Sequence, residues 1–336
     1  MIFDLPDIPN SKKYIDDMTP EQHVILKCIN QEKLENFDEA ILNESIVFYK
    51  EVFPKLKAID LSGITEEQTN SLTEYLSKVF NFNITISNNI HFKILFRVSF
   101  VRENFREKGK VRNPSYLHHP PLKVVQNNGV YNRANTDKKT VFYASFYENV
   151  AIRETKPEVG DKIIISTWKN ISGKPFNSYP ITNSNINNSG VQKATKAFKE
   201  AKDFNNPLLG EILDLNLAFL AGEFVKDSEV INDKRFEYLY SAYFADRILS
   251  PFKEGVLTPN IDCIIYPSVA WKHQHENLAI IPDSVEGKLK LIGAVEYEVE
   301  ETYFSKKLQK DEMPVKLKLI READWIEDDL IIWEDE

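Results

Sequence analysis

Two arginines, a glutamate, a tyrosine and a serine stand where their side chains need a reason. Arg97 lies inside the apolar strand pattern LFRVSF with Leu95 and Ser99 on its own face, and a guanidinium there needs an anion, either a structural carboxylate or a ligand. Arg133 sits in the polar turn YNRAN, just ahead of the strand VFYAS that carries Tyr143. In VFYASFYENVAIRET, residues 141–155, a helix beginning near Phe146 brings Val150, Ala151 and Glu154 onto one face, so a carboxylate occupies a stripe expected to be core. Lys156-Pro157 stops that helix, because proline disfavours helical geometry in the residue before it. Glu154 therefore falls in the last turn, where the negative end of the helix opposes a carboxylate by up to about 1 kcal/mol. Such a group needs either a cationic partner, with Arg153 or a surface lysine as the structural alternative, or a cationic transition state.

The run IDCIIYPSVAW ends a buried strand at Tyr266-Pro267-Ser268. Pro267 sets the bend, and Ser268 projects either toward a ligand or into the turn as a cap. No GxSxG surrounds it, which makes it a hydrogen-bond donor and not a nucleophile. Ser145 and Glu148 match the S-x-x-E capping box, a structural reading. No Gly-rich phosphate loop of the GxGxxG or GxxxxGK[ST] type is present. Cys263, His273 and His275, and the pair His118-His119, lack a four-ligand spacing, so no metal is expected.

These side chains need a scaffold, and 336 residues at 42% hydrophobic content can bury a large core. The spacing predicts a mostly helical region over 1–88. Strands follow in HFKILFRVSF, DKKTVFYASF and GDKIIISTWK, a loop in SYPITNSNINNSG (178–190), and helices over about 191–250 in QKATKAFKEAKDF, LGEILDLNLAFLAGEF and FEYLYSAYFADRIL. Two more strands lie in IDCIIYPSVAW and ENLAIIP, which gives a main domain over 89–300. The segment 301–336, with its acidic tail READWIEDDLIIWEDE, reads as a final strand or docking segment. Strands, helices and strands without βαβ alternation indicate an α+β fold with a split mixed sheet and added helices.

The net charge of −9 argues against a nucleic-acid partner, and the basic run VRENFREKGKVR at 101–112 reads as a solvated loop. Neither a membrane span nor a signal peptide is expected, and Cys28 and Cys263, far apart in sequence, suit a reducing, cytoplasmic setting as ordinary buried thiols.

Taken in order, Arg97 in its strand, Arg133 before VFYAS, Glu154 in AIRET, Ser268 in YPSV and Asn277 in ENLAI resemble the RES-domain family over about residues 91–282. The blocks VFYASFYENVAIRE and IDCIIYPSVAWKHQHENLAI carry most of the likeness. The resemblance implies an NAD-consuming protein with a fold similar to ADP-ribosyltransferases, and in many members a toxin beside a helix-turn-helix antitoxin. It implies that Glu154, Arg97 and Ser268 are catalytic, that Arg133, Tyr143 and Asn277 bind substrate, and that NAD is the substrate with no metal required. Asn132 stands where the family commonly has glycine, and a left-handed turn at Asn132 is the expected accommodation. The long N-terminal helices and the 170–250 segment exceed a compact family member.

Under that resemblance the residue types make chemical sense. Cleavage between nicotinamide and ribose builds positive charge on the sugar, which an adjacent carboxylate stabilises. Arginine forks match pyrophosphate oxygens, and a tyrosine face suits the cationic nicotinamide ring. The expected activity is an NAD glycohydrolase, with water, phosphate or a macromolecule as acceptor. The alternative is a non-catalytic nucleotide-binding or interaction module that keeps the pocket. A homo-oligomer is compatible with either.

Overall fold

The computed structural model describes residues 3–9, 18–80, 88–103, 106–181, 196, 206–226, 235–250, 260–271, 275–304, 312–327 and 330–334. Residues 20–79 hold α1 (Pro20–Ile29), α2 (Asn36–Ala58) and α3 (Glu66–Val79). Thr-x-x-Gln capping boxes start α1 and α3: Thr19 and Gln22, and Thr65 and Gln68, exchange side-chain and backbone bonds that satisfy otherwise orphaned N–H groups.

These helices do not stand apart. Their buried faces join two later helices, labelled α6 (Pro207–Phe224) and α7 (Leu239–Ile248), in one apolar cluster. Phe53 stacks on Phe219 with ring centroids 4.5 Å apart, and the Tyr240 hydroxyl donates to the Leu56 carbonyl at 2.8 Å. Each such side chain stabilises the fold by roughly 1.5–3 kcal/mol through apolar burial. The stretch QKATKAFKEAKDF lies outside the described residues except for Lys196.

The rest is α+β. Among the described residues ten strands form a mixed sheet: β1 (Asn88–Ile90), β2 (Ile94–Phe100), β3 (Phe142–Ser145), β4 (Lys162–Asn170), β5 (Phe176–Pro180), β6 (Cys263–Pro267), β7 (Glu276–Ile280), β8 (Leu289–Thr302), β9 (Val315–Ile326) and β10 (Ile331–Trp333). Their spatial order is β1-β5-β6-β7-β3-β2-β4-β8-β9-β10, antiparallel throughout except for the β5–β6 pair. Short helices α4 (Leu122–Asn128), α5 (Glu148–Thr155) and α8 (Pro282–Lys288) connect them. One face of the sheet packs Leu95, Phe142, Trp168 and Leu278 into a core, with Phe142 and Trp168 edge to face at 5.0 Å.

The centre of the sheet is weakly joined. Every β2 residue pairs with β4, whereas β2 meets β3 in register only at Phe96↔Ser145. Beyond that pair the two strands diverge.

Three expectations from sequence need correction. Residues 178–180 are not loop: Ser178, Tyr179 and Pro180 belong to β5, and the Ser178 hydroxyl donates to the Asn88 carbonyl at 2.7 Å. The Ser145–Glu148 capping box does not form, because β3 runs through Ser145, whose hydroxyl turns to Asn277, and Tyr147 is the N-cap of α5. The basic stretch is not wholly solvated, since Arg106 is buried against Glu296 at 2.7 Å.

Candidate functional site

The gap between β2 and β3 is where Arg97 acts. The side chain of Arg97 reaches across the divergence and donates from Nη1 to the Tyr143 carbonyl at 2.9 Å, an acceptor that strand pairing would otherwise have used. Its guanidinium lies 5.1 Å from the centre of the Phe142 ring. Burial pushes this guanidinium down to about 10, still cationic at neutral pH, and its buried Nε has no hydrogen-bond partner among the described residues.

Helix α5 follows β3 directly and packs on β2. Val150, Ala151 and Ile152 are buried, and the helix ends at Lys156 in the left-handed conformation (φ 47°) ahead of Pro157. Glu154 thereby faces the gap. Its Oε1 accepts from the Ser268 hydroxyl at 2.5 Å. Ser268 is fully buried at the end of β6; its own oxygen accepts from the Trp271 N–H at 3.2 Å, and its N–H donates to the His275 carbonyl. That fixed hydroxyl sets the carboxylate's orientation.

The turn before β3 supplies Arg133 and holds Tyr143. The Tyr143 hydroxyl donates to Asn135 Oδ1 and accepts from the Ala134 N–H, both at 2.9 Å, and burial pushes its pKa up. Asn132 is not left-handed; it bridges to Asn135 through reciprocal backbone bonds. Arg133 donates to the Phe224 carbonyl, to the Lys226 carbonyl at 3.2 Å and to the Tyr238 hydroxyl at 3.1 Å. Burial works to lower its pKa, but Tyr238, Tyr266 and Glu154 outweigh that and hold it above the ordinary value.

These groups line one cavity of about 390 Å³ that includes Arg97, Arg133, Tyr143, Glu154 and Asn277. Ser268 stands behind the wall, reaching the cavity through Glu154. The floor follows from register. Tyr266↔Asn277, Ser145↔Asn277 and Phe96↔Ser145 are successive cross-strand pairs, so their side chains share one face of β6, β7, β3 and β2. Asn277 is 3% exposed; its Oδ1 accepts from Ser145 at 2.5 Å, while Nδ2 is buried without a partner among the described residues.

Sequence reasoning had not placed Tyr238, Tyr266, Phe96 or Ser145 in the cavity. Period-two alternation from Tyr143 to Ser145 was the available signal for Ser145. None marked Tyr238, which arrives from the helical segment.

Chemically, the cavity pairs a carboxylate locked by a buried serine with two arginines and, on its floor, Asn277 Nδ2, a buried donor without a partner among the described residues. It can hold an anionic group on one side and stabilise positive charge on the other. Among the described residues no group of three or more His, Cys, Asp or Glu side chains is placed to hold a metal. His273 lies outside those residues; Cys263 is a buried strand thiol, and His118 packs edge-on to Trp168 at 4.5 Å.

A family model described as "RES domain" matches residues 109–299, more than half of the chain. The matched span contains Arg133, Tyr143, Glu154, Ser268 and Asn277, and begins after Arg97. No curated protein and no solved structure matches.

Proposed function

The chain belongs to the RES-domain family, and on that premise we propose that it cleaves the nicotinamide–ribose bond of NAD. The observation that carries the reading is the Ser268–Glu154 hydrogen bond beside the Arg97 and Arg133 guanidiniums in one cavity. Ser268 engages Oε1 of Glu154, so Oε2 is the oxygen available to the sugar. As the C–N bond breaks, its electron pair leaves with neutral nicotinamide and positive charge develops on the ribose. A carboxylate in a walled cavity stabilises that charge more than water does, and its fixed orientation requires no reorganisation. The acceptor, water in the simplest case, then bonds to the anomeric carbon and releases a proton. Asn277 Nδ2 supplies a donor to phosphate, carboxamide or ribose oxygens, Arg97 contributes positive charge beside them, and Tyr143 presents an aromatic wall. No metal is needed for these steps.

A second reading, a nucleotide-binding module without turnover, draws on the engagement of Arg133 with backbone carbonyls. Incubation of the purified chain with NAD, with product identification, separates the two. Nicotinamide release that Glu154→Gln abolishes supports cleavage, whereas binding without release supports the module. Growth arrest on expression of the wild type but not of Glu154→Gln would extend the reading to a toxin held in check by a helix-turn-helix antitoxin.

A further inference from the structure

Among the described residues, the helical segment between β5 and β6 reaches the cavity at Tyr238, and that point is built. A turn at residues 235–238 docks on the turn that carries Arg133. The Tyr131 N–H donates to the Arg235 carbonyl at 2.9 Å, Arg235 Nε donates to the Gly129 carbonyl at 2.6 Å, and Tyr131 meets Phe236 edge to face at 5.1 Å. Gly129 is left-handed (φ 60°), a conformation glycine adopts without strain, and a Cβ there would lie 2.8 Å from the tip of the Arg235 side chain, which would have to shift. The docked turn delivers Tyr238, whose ring centre lies 5.0 Å from the Arg133 guanidinium carbon and whose hydroxyl accepts from Nη2. Tyr238 also lines the cavity, alongside Tyr143 and Tyr266.

We propose that Tyr238 is a positioning residue, contributed by the helical segment, that aims Arg133 at the diphosphate of the dinucleotide; the proposal rests on the reading of the cavity as an NAD site. The face of Tyr238 is already turned to a guanidinium, so its electron-rich surface is satisfied by a cation and does not suit the cationic nicotinamide ring. The Arg133–Tyr238 pair therefore forms the anion side of the cavity, and Glu154 with Ser268 forms the cation side. Both Nη2 hydrogens of Arg133 are spent on the Lys226 carbonyl and the Tyr238 hydroxyl, whereas Nη1 has a hydrogen beyond the one given to Phe224. Its direction is set by the ring that locks the guanidinium plane.

The test uses the full chain with Tyr238→Phe, which keeps the ring, and Tyr238→Leu, which keeps bulk and loses the π face. Steady-state nicotinamide release and calorimetric binding of ADP-ribose and of nicotinamide are measured for each, with thermal melting as a control. Expected for Tyr238→Leu is a rise of about tenfold in KM and in the ADP-ribose Kd, with kcat within about threefold and nicotinamide binding unchanged. Tyr238→Phe should recover most of the loss. A wild-type chain that turns over NAD while both variants match it in KM and ADP-ribose affinity overturns the role of Tyr238 and leaves the site assignment standing. A fall in kcat at constant KM also overturns it, because it would place Tyr238 with the bond-breaking groups. A wild-type chain that neither binds nor cleaves NAD overturns the NAD reading, and the proposal falls with it.

Discussion

The Ser268 hydroxyl donates to Glu154 Oε1 at 2.5 Å, joining the end of β6 to the last turn of α5 across 114 positions of sequence. The bond explains how a carboxylate is kept where the helix end repels it. Ser268 supplies a dipole from outside the helix, and Arg133 lies within electrostatic reach.

That relationship separates the two residues by experiment. Glu154→Gln should lower nicotinamide release by at least about 10³-fold, the scale on which a preorganised charge acts at a transition state. Ser268→Ala leaves the carboxylate in place but unsteered, so its loss should be smaller, about 10–100-fold, the worth of a charge-assisted hydrogen bond. Single-turnover rates would decide the order, and equal losses would mean that Ser268 does more than orient.

Glu276 opens β7 at 3% exposure, and burial pushes its carboxyl up to about 8 from the usual 4.5. The native state therefore holds a proton that the unfolded chain releases. A raised carboxyl stabilises the fold fully below the unfolded value and loses that contribution as pH rises toward the folded one. Melting temperature should fall as pH rises from about 4.5 to about 8, and Glu276→Gln should flatten that slope and melt higher than wild type at pH 8. A variant whose melting retains the wild-type slope would assign the pH dependence elsewhere.

Arg106 ties the basic stretch to the sheet. Its side chain meets the fully buried Glu296 of β8 at 2.7 Å, and Arg321 of β9 approaches the same carboxylate at 3.2 Å. Arg106→Ala should destabilise by about 2 kcal/mol, less than the ~3–5 kcal/mol of a stranded buried charge, because Arg321 remains. Glu296→Ala, which leaves two guanidiniums facing each other, should cost more. Urea titration of both variants measures the difference.

How much of this could be read from the chain depends on where the signal resides. Arg97 and Glu154 were visible because each is the wrong residue type for its periodicity, and a charge on an apolar face must be explained locally. Ser145 misled because S-x-x-E describes a helix start, while the asparagine that captures its hydroxyl lies 132 positions away. The end of β5, Ser178–Pro180, reads as loop because Asn, Ser and Pro usually turn the chain, yet here β1 and β6 satisfy its backbone from both sides. The alternation in LKLIGAVEYEVEET was an unused sign of β8, the longest strand. Tyr238 left no trace, since it sits in an ordinary aromatic helix pattern and its role is fixed by Arg133, 105 positions earlier.

Asn277 gives a prediction in which stability and binding separate. Its Nδ2 is buried without a hydrogen bond among the described residues, and leaving a buried donor unpaired costs about 1–3 kcal/mol. Replacing Asn277 by Leu removes that cost but strands the Ser145 hydroxyl, which now donates to Oδ1. The two effects oppose, so unfolding free energy should shift by no more than about 1 kcal/mol. Binding has no such offset. If Nδ2 serves a substrate oxygen, Asn277→Leu should raise KM for NAD by about tenfold. Paired with Ser145→Ala, the double variant should regain stability, since both ends of the broken bond are then apolar, and should not regain affinity. Recovery of affinity in the double variant would show that Asn277 serves Ser145 and not the ligand.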